Sequence, residues 1–185
     1  MADFSRIDSE RLYMRPFKDQ DAVPMLEYHS DPDVVRYIPW DVRTLEEVQK
    51  SNKENAHAYF LNHEGDYLTL ALIRKEDDQL IGQMNAMFRS ELHKTAEFGY
   101  VINPKFGGQG YVTEAATALI SALFDSGLFH RVFANMDCRN HPSEAVAKRV
   151  GLRKEAHHIQ DYWFKGEWTD SYIYATLKDE WQSRH

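Results

Sequence analysis

Residues 95–127 constrain the fold more than any other stretch of this chain. Positions 97–102 (Glu-Phe-Gly-Tyr-Val-Ile) are rich in aromatic and β-branched residues and predict a buried strand. Asn103-Pro104 ends it, because proline lacks a backbone donor and biases its predecessor away from helix. Then come Gly107-Gly108-Gln109-Gly110 and a helical pattern with Ala116, Leu119, Ile120, Leu123 and Phe124 on one face, closed at Ser126-Gly127. A strand, a glycine-dense turn and a helix start make an anion cradle: backbone N–H groups converge on one concavity, and the helix N-terminus adds partial positive charge. A pyrophosphate suits such a place, and so does a plain ligand-free turn. No G-x-x-x-x-G-K-[ST] is present, and the third glycine of G-x-G-x-x-G is missing, so neither a P-loop nor a Rossmann fingerprint is expected.

The remaining chain is read around that unit. Positions 9–17 predict a first strand, and Asp19 is placed to cap a helix running to about Ser30. Thr44-Leu-Glu-Glu47 matches a capping box, predicting a helix over 45–62. Positions 67–74 and 80–88 predict a hairpin across the charged turn 75–79. A short strand at 131–136, a helix at 142–150 closed by Gly151, and a final hairpin of 152–163 and 171–177 around Lys165-Gly-Glu complete the pattern. With one parallel strand–helix–strand unit at 95–136, the expectation is an α+β fold in a single domain over 1–185, with a mixed sheet of about seven strands flanked by helices.

Composition narrows the functional classes. At 185 residues and 43% apolar the chain can bury a real core. The net charge of −7 disfavours nucleic-acid binding, which needs a basic stripe, and is compatible with cationic partners such as amines. No apolar run approaches a bilayer span, and no secretory signal is legible, so no membrane association is expected. Cys138 is the single cysteine and cannot form an intramolecular disulfide, which fits the cytoplasm. Its nine histidines show no H-E-x-x-H or other metal-ligand spacing, so no metal is expected.

The segments EFGYVINPKFGGQGYVTEA (97–115), HRVFANMDCRNHPSEAVAKRVGL (130–152), GEWTDSYIYATLKDEW (166–181) and SERLYMRPF (9–17) together resemble the GNAT N-acetyltransferase superfamily, and within it the RimJ/RimL-like branch that acetylates ribosomal-protein N-termini. The resemblance implies acetyl-CoA as co-substrate, its pyrophosphate held by Gly107, Gly108, Gln109 and Gly110 with the first-turn amides of Tyr111, Val112 and Thr113. It implies a splayed strand pair, 97–102 against 131–136, with the pantetheine arm in the gap beside Tyr100, Val101 and Ile102. Glu97 is the implied base, acting directly or through water. Asn140 and Ser143 read locally as a helix cap; the resemblance adds that they face the thioester and that Ser143 donates to the departing sulfur. Tyr37, Trp40, Tyr162 and Trp163 are implied substrate-pocket residues, with core anchoring as the local alternative for each. Trp168 and Asp170 are read as structural, and Cys138 as an unreactive buried thiol.

Three departures matter. The tyrosine acid that many members place seven residues after the asparagine is Ala147 here, so Ser143 or solvent must serve. Gly107 replaces the usual Gln or Arg, and Val112 replaces a small residue at the helix start. The leading expectation is acetyl transfer to a primary amine in a ternary complex by a monomer or homodimer. The acceptor is a protein N-terminus or a small amine (polyamine, amino acid or antibiotic). A non-catalytic acyl-CoA-binding module is the competing class, and a nucleotide hydrolase is disfavoured by the missing P-loop.

Overall fold

The computed structural model describes residues 2–184. Eight strands form one sheet in the order β1-β2-β3-β4-β5-β6-β8-β7. They are β1 (Ile7–Asp8), β2 (Leu12–Arg15), β3 (Tyr67–Arg74), β4 (Gln79–Ser90), β5 (Thr95–Ile102), β6 (Arg131–Asp137), β7 (Arg153–Phe164) and β8 (Glu167–Leu177). The helices are α1 (Ala22–His29), α2 (Pro32–Val35), α3 (Leu45–Asn55), α4 (Tyr111–Asp125), α5 (His141–Val150) and α6 (Lys178–Gln182). The sheet is mixed, as expected, and its eighth strand is the two-residue β1, which folds back on β2 through the turn at 9–11.

Strand β3 shows why both faces are covered. Leu68, Leu70 and Leu72 point to one side, where Leu119, Ile120, Leu123 and Phe124 of α4 complete the larger core. Ala71 and Ile73 point to the other, against Met25 and Tyr28 of α1 and Val48 of α3. Alternation of side chains along a strand thus turns one apolar run into the floor of two cores.

Several expected boundaries shift: the first expected strand, 9–17, narrows to Leu12–Arg15, and the last, 171–177, begins at Glu167. The helix predicted over 45–62 stops at Asn55, although its Thr44–Glu47 capping box is present. Beyond it, Tyr59 O accepts from Phe4 N at 2.9 Å and Ala58 O from Thr69 N at 2.8 Å, so tertiary partners replace the helical ones. Asp19 does not cap the first helix. It opens a 3₁₀ turn at Asp19–Asp21, and the anchoring carboxylate is Asp21, which takes Arg15 at 2.6 and 2.8 Å and Lys18 N at 2.7 Å.

The decisive feature lies at β5 and β6, the one parallel pair. They register at Thr95↔Arg131, Ala96↔Val132 and Glu97↔Phe133, and then stop pairing. Strand β5 continues on β4 to Ile102, and β6 continues on β8 to Asp137. The sheet therefore opens from residue 98 onward while each lip stays hydrogen-bonded on its outer side.

Candidate active site

A cleft of about 560 Å³ occupies that opening. Glu97, at the fork, and Tyr100 and Val101, farther along β5, line one lip; Asn135 and Met136 of β6 line the other. At the α5 side the wall is Asn140, Ser143, Val146 and Ala147. The small Ala147 leaves the space a larger side chain there would fill.

The cradle lies beyond the inner end of this cleft. Gly108 and Gly110 adopt φ +74° and +81°, a region L-residues avoid, and Gly110 is the N-cap of α4. No heavy atom lies within 4 Å of a Cβ built on Gly108. Among the described residues, no acceptor outside the helix takes the N–H groups of residues 108–113, and Gly110 O accepts only from Glu114. Gly107 departs from the others: its N–H is spent on Pro104 O at 3.0 Å. Asn103 sets up this geometry, with Oδ1 taking Lys105 N at 3.1 Å and its own N–H reaching Ile81 O at 2.9 Å. Free convergent donors with no obstructing side chain fit a diphosphate.

Two arginines at the cradle were not legible in the sequence. Arg11 lies 4.6 Å above the Tyr111 ring and donates to Gln109 O at 3.1 Å. Arg149, at the far end of α5, donates to Thr113 Oγ1 at 3.3 Å. Neither neighbours the glycines in sequence; only the packing of β2 and α5 against α4 brings them there. Glu114 clamps the arrangement, accepting from Ser9 Oγ and Arg11 N at 2.7 Å each and pairing with the Arg11 guanidinium at 2.7 Å. Burial pushes its carboxyl up, but these donors outweigh that and hold it below the usual range.

Glu97 sits at the fork with its side chain 26% exposed and Arg89 at 3.1 Å. Desolvation raises its pKa against the opposing pull of Arg89. Across the cleft, Ser143 is fixed twice. Its N–H donates to Asn140 Oδ1 at 3.2 Å, the expected cap, and its Oγ lies 3.0 Å from Tyr100 Oη. Burial raises the Tyr100 pKa, with the Ser143 contact and Arg149 opposing, so the phenol stays protonated and available as a donor.

At the outer end, Tyr37 and Trp40 from the loop after α2 face Tyr162 and Phe164 of β7, with Tyr67 of β3 between strands and loop. Burial pushes Tyr67 up to about 12. Trp163 does not line the cleft; strand alternation turns it to the other face, where its indole meets Trp168 at 5.3 Å. Ile102 and the glycine turn also lie off the cleft lining, toward the cradle. The two-residue turn at Lys165-Gly166 has φ +46° and +88°, and Lys165 Nζ reaches across to Val35 O and Trp40 O at 2.9 Å each. That lysine ties the hairpin to the aromatic loop.

The expected structural residues behave as scaffolding. Asp170 Oδ1 accepts from Gln160 N at 2.9 Å within the β7 bulge, and its carbonyl accepts from Cys138 N at 3.1 Å. Burial, Asp137 and Asp170 push the Cys138 thiol up and outweigh Arg139, which pulls the other way, so the thiolate is disfavoured. Cys138, His157 and Asp170 do bring ligand atoms within 4.8 Å of one another, a grouping no linear spacing showed; none of the three lines the cleft.

A parted parallel strand pair, with an amide cradle after one strand and a half-buried carboxylate at the fork, has the shape for an extended anionic ligand. The chain belongs to the GNAT acetyltransferase family, matching its acetyltransferase (GNAT) domain over residues 11–153. It is 34% identical over 176 residues to the uncharacterised N-acetyltransferase YnaD of Bacillus subtilis (strain 168), covering 95% of this chain and 98% of that one. It is 26% identical over 183 residues to the [ribosomal protein uS5]-alanine N-acetyltransferase of Escherichia coli (strain K12), covering 95% and 92%. Among solved structures, RimL, the ribosomal L7/L12 α-N-protein acetyltransferase in complex with coenzyme A, superposes with a TM-score of 0.77 at 20% identity, covering 93% and 97%. Relatives thus include ribosomal-protein N-acetyltransferases, and the chain is an acyltransferase enzyme. No helix among the described residues is long and apolar enough to cross a membrane.

Proposed function

We propose that this enzyme moves the acetyl group of acetyl-CoA directly to a primary amine while both are bound, the α-amine of a polypeptide being the leading acceptor. The support for this is the order along one stretch of chain: the Glu97 carboxylate at the fork, Tyr100 and Val101 on the opened lip of β5, and the free amides at 108–113 that follow the strand. Acetyl-CoA supplies an activated thioester; the protein supplies position, a base and hydrogen bonds. The amides of Gly108–Gly110 and Tyr111–Thr113, with Arg11 and Arg149 nearby, hold the diphosphate. Tyr100, Val101 and Ile102 border the arm.

Glu97 takes a proton from the amine, directly or through one water. Its desolvated carboxylate is a stronger base than an exposed one. An α-amine near pKa ~8 needs less help than a lysine near ~10.4, which favours the N-terminal acceptor for a single carboxylate. Tyr100 Oη and Ser143 Oγ share one hydrogen bond; with the phenol as its donor, the Ser143 proton faces the sulfur and stabilises charge as the thiolate departs. Asn140 keeps Ser143 in place through the helix cap. Tyr37, Trp40 and Tyr162 border the acceptor. The relationship to the uS5-alanine enzyme supports a polypeptide N-terminus, and the cytoplasm is the proposed site of action.

The test is thiol release from acetyl-CoA by the full chain with an amine panel, alongside calorimetry of CoA binding. Amine-dependent release is expected. Tight CoA binding with no acceleration by any amine would leave a binding module instead.

A further inference from the structure

The acceptor end is rich in rings, and neither carboxylate on its lining is unpaired. Five aromatic residues, Tyr37, Trp40, Tyr67, Tyr162 and Phe164, border it. Tyr162 and Phe164 stack at 5.8 Å between centroids, and Arg43 lies 4.4 Å over Trp40. The charged side chains on the lining are Arg89, Glu97 and Asp137. Each of the two carboxylates already holds a guanidinium: Glu97 has Arg89 at 3.1 Å, and Asp137 has Arg139 at 2.7 Å. Around the mouth the pairing is looser: Asp41 faces Lys165 at 3.2 Å, Glu167 shares Arg139 with Asp137 at 2.9 Å, and Asp161 accepts from the neutral Ser171 Oγ at 2.7 Å.

We infer that the acceptor is an amine with one positive charge, whose nitrogen lies within a few bonds of an aromatic or bulky apolar group. This rests on the acetyl-transfer reading above. A polyamine brings a second and third ammonium into the cleft, and each needs an unpaired anion to offset its desolvation. Both carboxylates on the lining are already paired with a guanidinium, so the lining itself offers none. A ring or branched alkyl group gains by entering the aromatic box, where flat faces bury much area for little conformational loss. Such an amine comes either from a small arylalkylamine or from a polypeptide whose first residue is aromatic or large and apolar.

The experiment measures kcat/KM with acetyl-CoA for 2-phenylethylamine, ethylamine, spermidine, and hexapeptides beginning with Phe or Ala. Phenylethylamine and the Phe peptide are expected to exceed spermidine at least tenfold; whichever of those two is faster identifies the source. Tyr162→Ala and Trp40→Ala should each shrink the phenylethylamine-to-ethylamine ratio at least fivefold with CoA affinity unchanged. A loosened fold would lower both amines together and leave the ratio alone. Spermidine turned over as fast as phenylethylamine overturns this inference while leaving acetyl transfer standing, as does a ratio unmoved in both variants. Release that no amine accelerates removes both readings.

Discussion

The two ends of the cleft are built by opposite means. The cradle end is main chain: a turn, a helix start and amides whose direction is set by Gly108 and Gly110 at positive φ. The acceptor end is side chain: rings from the loop after α2, from β3 and from β7, held in place by the Lys165 bridge. A backbone site depends on local conformation and tolerates substitution of its neighbours; a side-chain site depends on distant segments meeting. One end is written in a short stretch, and the other is assembled from three separate segments. That division explains how one fold serves many acceptors.

The largest effect that sharpens this contrast falls at the fork between the ends. Glu97→Gln is expected to lower kcat/KM by about 10²-fold or more, the usual contribution of a positioned base. Calorimetric CoA affinity should stay unchanged, and the acidic limb of the pH–rate profile, set by a carboxyl raised above its ordinary 4.5, should disappear. A wild-type profile in the variant removes Glu97 from the mechanism.

The second effect separates the ends by acid. His29 is buried under the acceptor loop, its ring 5.7 Å from Trp40, with Gln83 Oε1 at 2.9 Å. Burial lowers its pKa to about 4, Arg43 assisting and Gln83 opposing. Below pH ~6.5 the unfolded chain takes up a proton that the folded chain refuses, so stability falls until about 4 and then levels. The loss is on the order of 3 kcal/mol. In denaturant titrations across that window, tryptophan fluorescence from the acceptor end should report it; His29→Gln should flatten the slope, and an unflattened slope assigns it elsewhere.

A third change addresses the cradle alone. Gly110→Val places a β-branched residue at φ +81° with Arg11 Nη2 only 3.6 Å from its Cβ. Left-handed backbone costs such a residue about 1–2 kcal/mol, and CoA affinity should fall about tenfold as the amides turn. Selectivity among amines should not change. The smallest expected effect is the reverse: Lys165→Ala should raise the acceptor KM roughly three- to fivefold, the scale of lost hydrogen bonds to the loop after α2. CoA binding should be untouched. If either variant disturbs both ends equally, the ends are not independent.

Legibility in the sequence follows the same line. The cradle was readable because a glycine at positive φ and a helix cap are local matters, written within ten residues. So were the Asn140–Ser143 cap and the Lys165-Gly166 hairpin. Glu97's place at the fork came from resemblance, not periodicity, because nothing in a strand's pattern says where pairing with a distant strand ends. Trp163 and Tyr162 are adjacent, and only the bulged register of β7 decides which ring meets the cleft. Arg11, Arg149 and Tyr67 carried no signal at all; each reaches the site through packing between elements far apart in the chain. The shortened α3 is the same lesson in the scaffold, since Phe4 and Thr69 claim carbonyls that a longer helix would have used.

The Lys165 bridge spans 130 residues to Val35. Contacts of such range are made late, because the intervening chain must be in place before its ends can meet. During synthesis the glycine turn and its helix leave the ribosome well before the last hairpin does. A nascent chain one hairpin short would lack both the strand that backs β6 and the Tyr162 and Phe164 rings, so the acceptor end is the last part of the cleft to be completed.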